Sequence, residues 1–159
     1  MTVRRWRIKN MQPRLNHYTA DPASLQAMLQ LEKHVTSNGL PHNLRELIKL
    51  RASQVNGCAY CVDMHSRDLR KHGETEQRLH LLCVWRESPL FTEKERAALA
   101  WTEAVTLVAQ TQVPDEVYEE FARHFTAEEQ VQITLLIGTI NIWNRLAVSF
   151  RALHPVPAA

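Results

Sequence analysis

Two cysteines stand two residues apart, Cys58 and Cys61, and His65 follows four residues after the second. Thiols react as thiolates, so a pair at this spacing can pass between dithiol and disulfide. On a helix, positions i, i+3 and i+7 share a face, which lines up Cys58, Cys61 and His65 and puts His65 one turn above Cys61. A histidine there can take a thiol proton, and its other ring nitrogen needs an orienting partner. Glu46, on the segment before, is the carboxylate available for that task. The two thiols are favoured by different effects. Cys58 is nearer the helix start and its unpaired N–H groups, worth about 0.3–1 kcal/mol when exposed. Cys61 is nearer the base, and a positioned base contributes about 10²–10⁴-fold. Cys61 is therefore expected to attack. Attack on the O–O bond of a peroxide would leave a sulfenic acid that condenses with Cys58 to a disulfide, and an outside dithiol would reset the pair.

The elements that position these residues read as helices. Asp21-Pro22 is an N-cap with proline in the first turn, followed by Leu25, Met28, Leu29 and Val35 up to Asn38-Gly39. Leu44, Leu47, Ile48, Ala52 and Val55 mark the apolar side of a second helix that ends at Asn56-Gly57, with Glu46 at the edge of that side. The third helix starts at or near Cys58 and stops at Gly73. The fourth runs from about Thr75 to Arg86 with Leu79, Leu82 and Cys83 inward, and Cys83 is read as packing. Thr92 to Glu95 and Thr126 to Glu129 are capping boxes that open the fifth and last helices, and Pro114 opens the sixth. The fifth is expected to pack through Ala98, Trp101, Thr102, Val105, Val108 and Ala109, and the last to run to about Leu153. No strand-length alternation occurs, which predicts an all-α fold of about six to seven helices. It also excludes a thioredoxin-type reading of C-x-x-C, which needs strands around it. From Val131 to Trp143 the last helix is apolar almost all round, which predicts burial on several sides and an oligomer.

At 159 residues the chain suits one domain, read as an N-terminal arm over 1–20 and a helical domain over 21–159. The net charge of +2 rests on Arg4, Arg5, Arg7 and Lys9; without them the balance is 15 basic to 17 acidic residues, so nucleic-acid binding is not expected. No apolar run of membrane-spanning length is read, the opening MTVRRWRIKN lacks a secretory apolar core, and three cysteines do not make a disulfide framework. The expectation is a cytoplasmic protein. Two other readings of the cysteine stretch stay open: a zinc site made by Cys58, Cys61 and His65 with Glu46 or a water, and plain packing with a hydrogen-bonded core histidine. Against zinc, no second C-x-x-C or histidine pair closes the site. His17, His34, His42, His72, His80, His124 and His154 share no ligand spacing and are read as surface or helix-end residues. Asn141, Trp143, Asn144 and Arg145 interrupt the apolar last helix with polar groups, read as pinning it to a loop rather than binding a ligand.

Glu46, eleven residues, Cys58-Ala59-Tyr60-Cys61, three residues and His65 together resemble the signature of AhpD alkylhydroperoxidases within the carboxymuconolactone decarboxylase superfamily. The resemblance is best over about 25–110, and Asn141 to Arg145 also resembles a stretch common in such proteins. It implies an all-α fold in homo-oligomers, trimer or hexamer, with no cofactor. The implied activity is peroxidase in antioxidant defence, with disulfide reduction or lactone decarboxylation as alternatives. By the resemblance Cys61 attacks, Cys58 resolves, Glu46 and His65 relay the proton, and a lipoyl-bearing or thioredoxin-like protein supplies the reducing dithiol. The sequence departs from the best-known AhpD at Tyr60, where that protein has histidine; a phenol donates a hydrogen bond but is a poor base near neutral pH.

Overall fold

The computed structural model describes residues 12–156, so the basic stretch of residues 1–10 lies outside it. The chain order is α1 (His17–Ala20), α2 (Pro22–Thr36), α3 (His42–Val55), α4 (Ala59–Lys71), α5 (Glu76–Leu81), a 3₁₀ helix (Leu82–Glu87), α6 (Glu93–Thr106), α7 (Val108–Thr111), α8 (Asp115–His124) and α9 (Ala127–Phe150). No strand occurs among the described residues. The fold is all-α, and α1 and α7, four residues each, are the helices that the periodicity did not predict. The caps lie where sequence put them. The Asp21 carboxylate accepts from the Ser24 N–H at 3.1 Å, and both threonine boxes are closed reciprocally with Glu95 and Glu129.

Helix α3 is the inner element. Leu44 and Ile48 join a core with Val35, Phe121, Ile133 and Ile137, whereas Leu47 and Leu50 join another with Leu69, Leu82, Trp85 and Leu99. Burying each such side chain stabilises by about 1.5–3 kcal/mol. The neighbours of α3 are therefore held on both sides, and its length, from His42 to Val55, is fixed against α4.

Four expectations are corrected. The fourth helix tightens to 3₁₀ at Leu82, a three-residue repeat that turns Leu82 and Trp85 inward together and leaves Cys83 exposed. Cys83 is not core packing. The Arg96 guanidinium from α6 takes up the carbonyls freed there, those of Trp85, Arg86 and Ser88. The fifth helix ends at Thr106, before the stripe does, so Val108 is 54% exposed. Helix α9 ends at Phe150 with Arg151 in the left-handed region. An 18-residue window within it has mean hydropathy 1.3, long and apolar enough to cross a membrane by length and composition, although no such run was expected. In this fold it packs against α2, α3, α4, α6 and α8 and buries Asn141 and Asn144, the pattern of a core helix.

Candidate functional site

Helices α3 and α4 form a hairpin through one glycine. Gly57 has φ +67, and its N–H donates to the Gln54 carbonyl at 3.2 Å while that of Cys58 donates to Ser53 at 2.9 Å. This pair of bonds closes α3 and hands the chain straight to α4. Cys58 is the N-cap of α4, and its sulfur accepts from the Cys61 N–H at 3.4 Å, as a serine oxygen would. The two sulfurs stand 2.7 Å apart and both cysteines are buried.

One face of the pair looks onto a cavity of about 550 Å³, whose walls include Cys61, His65, Glu46, Tyr60, Trp143 and Tyr18. Cys58 is not part of that wall. The His65 Nδ1 donates to Glu46 Oε2 at 2.6 Å, which holds the ring and leaves Nε2 buried with no protein partner. His65 thus makes no direct hydrogen bond to Cys61. Behind Glu46 lies a residue that sequence reading missed, Lys49, which is 4% exposed and bridges Glu46 at 3.2 Å and Glu32 at 2.6 Å. Glu32 in turn accepts from the Trp143 indole N–H at 3.1 Å. Burial alone would raise the Glu46 carboxyl, but the hydrogen bond and charge of His65, with those of Lys49, outweigh it and hold the group at about 2. Lys49 was legible only as one more polar residue on α3, three places after Glu46.

The thiols differ. Bonding from the Cys61 thiol lowers Cys58 to about 7, with burial opposing and the N–H groups of Cys61 and Tyr60 and the Asn144 amide assisting. The same bond, burial and the charge on Cys58 raise Cys61. The first proton to leave is that of Cys58, at the helix start, while the cavity opens on Cys61. Asn144 and Asn141 pin the helix, but to side chains at the end of α3 rather than to the loop carbonyls expected: their oxygens accept from the Asn56 side chain at 2.9 and 2.6 Å, and Asn144 donates to the Ser53 hydroxyl at 3.0 Å. Trp143 does otherwise and faces the cavity. Residues 12–20, grouped with the arm in sequence, also reach it: Leu15, Asn16, His17 and Tyr18 line it, and the Arg14 N–H donates to the Phe150 carbonyl at 2.9 Å. His17 is 9% exposed and stacks on Phe150, which corrects its reading as a surface residue. Among the described residues, Cys58, Cys61, His65 and Glu46 do not bring three ligand atoms within 4.8 Å of one another.

A helical hairpin that presents Glu46, Cys58, Cys61 and His65 in this way belongs to a defined class. The chain is an AhpD-like member of the carboxymuconolactone decarboxylase family, whose model matches residues 22–104. It is 41% identical over 139 residues to the uncharacterized protein YdfG of Bacillus subtilis, covering 87% of this chain and 95% of that one. It is 32% identical over 73 residues to the alkyl hydroperoxide reductase AhpD of Hyphomonas neptunium, 45% of this chain and 41% of that one. A solved structure from Agrobacterium tumefaciens, described as a protein of unknown function and candidate antioxidant defence protein AhpD, superposes with TM-score 0.90. It has 51% sequence identity and covers 92% of this chain and 100% of that chain.

Proposed function

We propose that the protein is a thiol-dependent peroxidase of antioxidant defence in which Cys61 attacks and Cys58 resolves. The observation that carries the reading is the pair of sulfurs 2.7 Å apart of which only Cys61 is on the cavity wall, a wall that also includes His65 with its unpartnered Nε2. The thiolate of Cys58 is the nearest base to the Cys61 proton. As it takes that proton, the Cys61 sulfur attacks the terminal oxygen of a hydroperoxide and the O–O bond breaks. The sulfur becomes a sulfenic acid, and the departing alkoxide takes up, by way of the His65 Nε2 held in place by Glu46, the proton that Cys58 released on becoming a thiolate. The Cys58 thiol then displaces water from the sulfenic acid and forms the disulfide. Two thiols and one hydroperoxide give one disulfide, one alcohol and one water, and a lipoyl-bearing or thioredoxin-like dithiol returns the pair to the reduced form.

The chain is proposed to work in the cytoplasm as a homotrimer or homohexamer. Val131, Leu135 and Ile142 lie on one face of α9 and are 60, 44 and 41% exposed, a stripe that a second copy would cover. Light scattering at micromolar concentration checks this, and a monomer overturns it. For the activity, the reduced protein is mixed with an organic hydroperoxide, and peroxide and free thiols are counted before and after. The expected result is one peroxide consumed for each pair of thiols lost. Unchanged thiols with consumption of a lactone substrate would establish the decarboxylase alternative instead.

A further inference from the structure

At the far end of the α3–α4 hairpin, His42, Asp68 and His72 form a cluster of which the peroxidase reading makes no use. We infer that these three residues bind a borderline divalent cation of the zinc class, as a clamp between the start of α3 and the end of α4. Each offers one ligand atom, and the three atoms lie within 4.8 Å of one another. The His42 Nε2 is 3.0 Å from Asp68 Oδ2, and the His72 Nδ1 is 3.8 Å from Asp68 Oδ1. Ligands at about 2.0–2.1 Å from a zinc-class ion stand about 3.0–3.4 Å apart in octahedral or tetrahedral geometry, so the three side chains would close in on the ion by rotation, without a shift of either helix. Two imidazoles and one carboxylate are the donor set of such ions, and it leaves positions for water.

Two further features fit a ligand set. Asn43 Oδ1 lies 3.4 Å from the His42 Nδ1, an outer partner for the Nδ1 proton once Nε2, which in this structure donates to Asp68, gives up its own proton to bind the ion. The rings of His42 and His72 are 3.9 Å apart, although the residues come from different helices and lie thirty positions apart in sequence. The three side chains are 37, 38 and 48% exposed, so an ion can enter and keep its waters. The cluster also has a role at the helix end that needs no ion. The His72 Nδ1 also donates to the Asp68 carbonyl at 2.9 Å, which would satisfy the end of α4 without any metal. Binding requires His72 to leave that carbonyl.

The test is cobalt titration of the full-length, tag-free protein, because cobalt reports its ligands by colour and the thiols are a rival site. One equivalent should bind with visible bands of nitrogen and oxygen ligation and no intense near-ultraviolet sulfur band, and the triple variant Cys58→Ser, Cys61→Ser, Cys83→Ser should bind equally well. His42→Ala and His72→Ala should each weaken binding by more than about 100-fold, beyond the 10–100-fold that follows loss of an outer partner. One equivalent of zinc should raise the melting temperature of the wild-type chain and of the triple-serine variant, but not that of His42→Ala. Binding that survives in both histidine variants, disappears with the cysteines, or fails to occur at a stoichiometric concentration overturns the inference. Circular dichroism of the variants separates loss of a ligand from loss of fold.

Discussion

The α3–α4 hairpin carries a histidine–carboxylate pair at its centre and another at its open end, and burial makes them different objects. His65 and Glu46 meet at 2.6 Å with side chains 6 and 8% exposed; His42 and Asp68 meet at 3.0 Å with side chains 37 and 38% exposed. At the centre the charges of His65 and Lys49 act through little solvent and hold Glu46 near 2, against the cost of its own burial. At the open end water screens the same kind of pair. The lesson is that residue types and spacing name the possible partners, while the packing around them decides how strongly they are coupled.

The largest test of that contrast is on the buried thiols. Cys61→Ser should abolish even the first turnover with peroxide. Cys58→Ser, which also removes the thiolate that takes the Cys61 proton, should react once, more slowly than wild type, and stop at a sulfenic acid that a dimedone probe labels, as mass spectrometry would show. If the two variants behave the other way round, the helix start and not the cavity selects the nucleophile.

Next comes Lys49→Ala, which leaves the buried Glu46 and the half-buried Glu32 without their shared cation. Breaking such a pair costs about 3–5 kcal/mol, to be read from the urea midpoint. A loss below about 1 kcal/mol would show that the centre is as solvated as the open end. The acid limb follows from the same group. Because the folded pKa of Glu46 is depressed, its contribution is complete above the unfolded value of 4.5 and is lost as pH falls toward about 2. Glu46→Gln should flatten that part of the stability curve.

A third, smaller effect concerns the thiol profile. Alkylation of the reduced pair by iodoacetamide should rise with a midpoint near pH 7 rather than the ordinary 9.0, because Cys58 is lowered. Asn144→Ala removes one of its donors and should move the midpoint upward. An unmoved midpoint would reduce Asn144 to a helix pin. Gly57→Ala should then cost about 1–2 kcal/mol, because φ +67 is a left-handed conformation that alanine adopts with strain, although space is open around it. The smallest effect belongs to the open end: Asp68→Asn in metal-free buffer should change stability by no more than about 1 kcal/mol.

Much of this was legible in the chain. Asp21, Thr92 and Thr126 announce helix starts because a cap is a local bond between neighbours, and Gly57 announces the hairpin because its conformation is a property of that residue. Glu46, Cys58, Cys61 and His65 could be read together because three of them sit on one helical turn pattern and the fourth lies on the helix just before. Other features needed the packed structure. Cys83 turned outward because a 3₁₀ turn shifted the phase of its helix, a change that Arg96 from α6 helps to hold. Lys49 became the bridge between Glu46 and Glu32 only when α2 and α3 met, and Trp143 became cavity wall only when α9 lay beside them. His42 and His72 have no common spacing and met because two helices ran antiparallel. What the sequence determined by itself was local: helix limits, caps, the turn and the dithiol spacing, all set by interactions within about one turn of chain. What only the tertiary structure decided was which thiol faces the cavity and which charges share one buried site, because burial and the approach of distant side chains arise only when the helices pack.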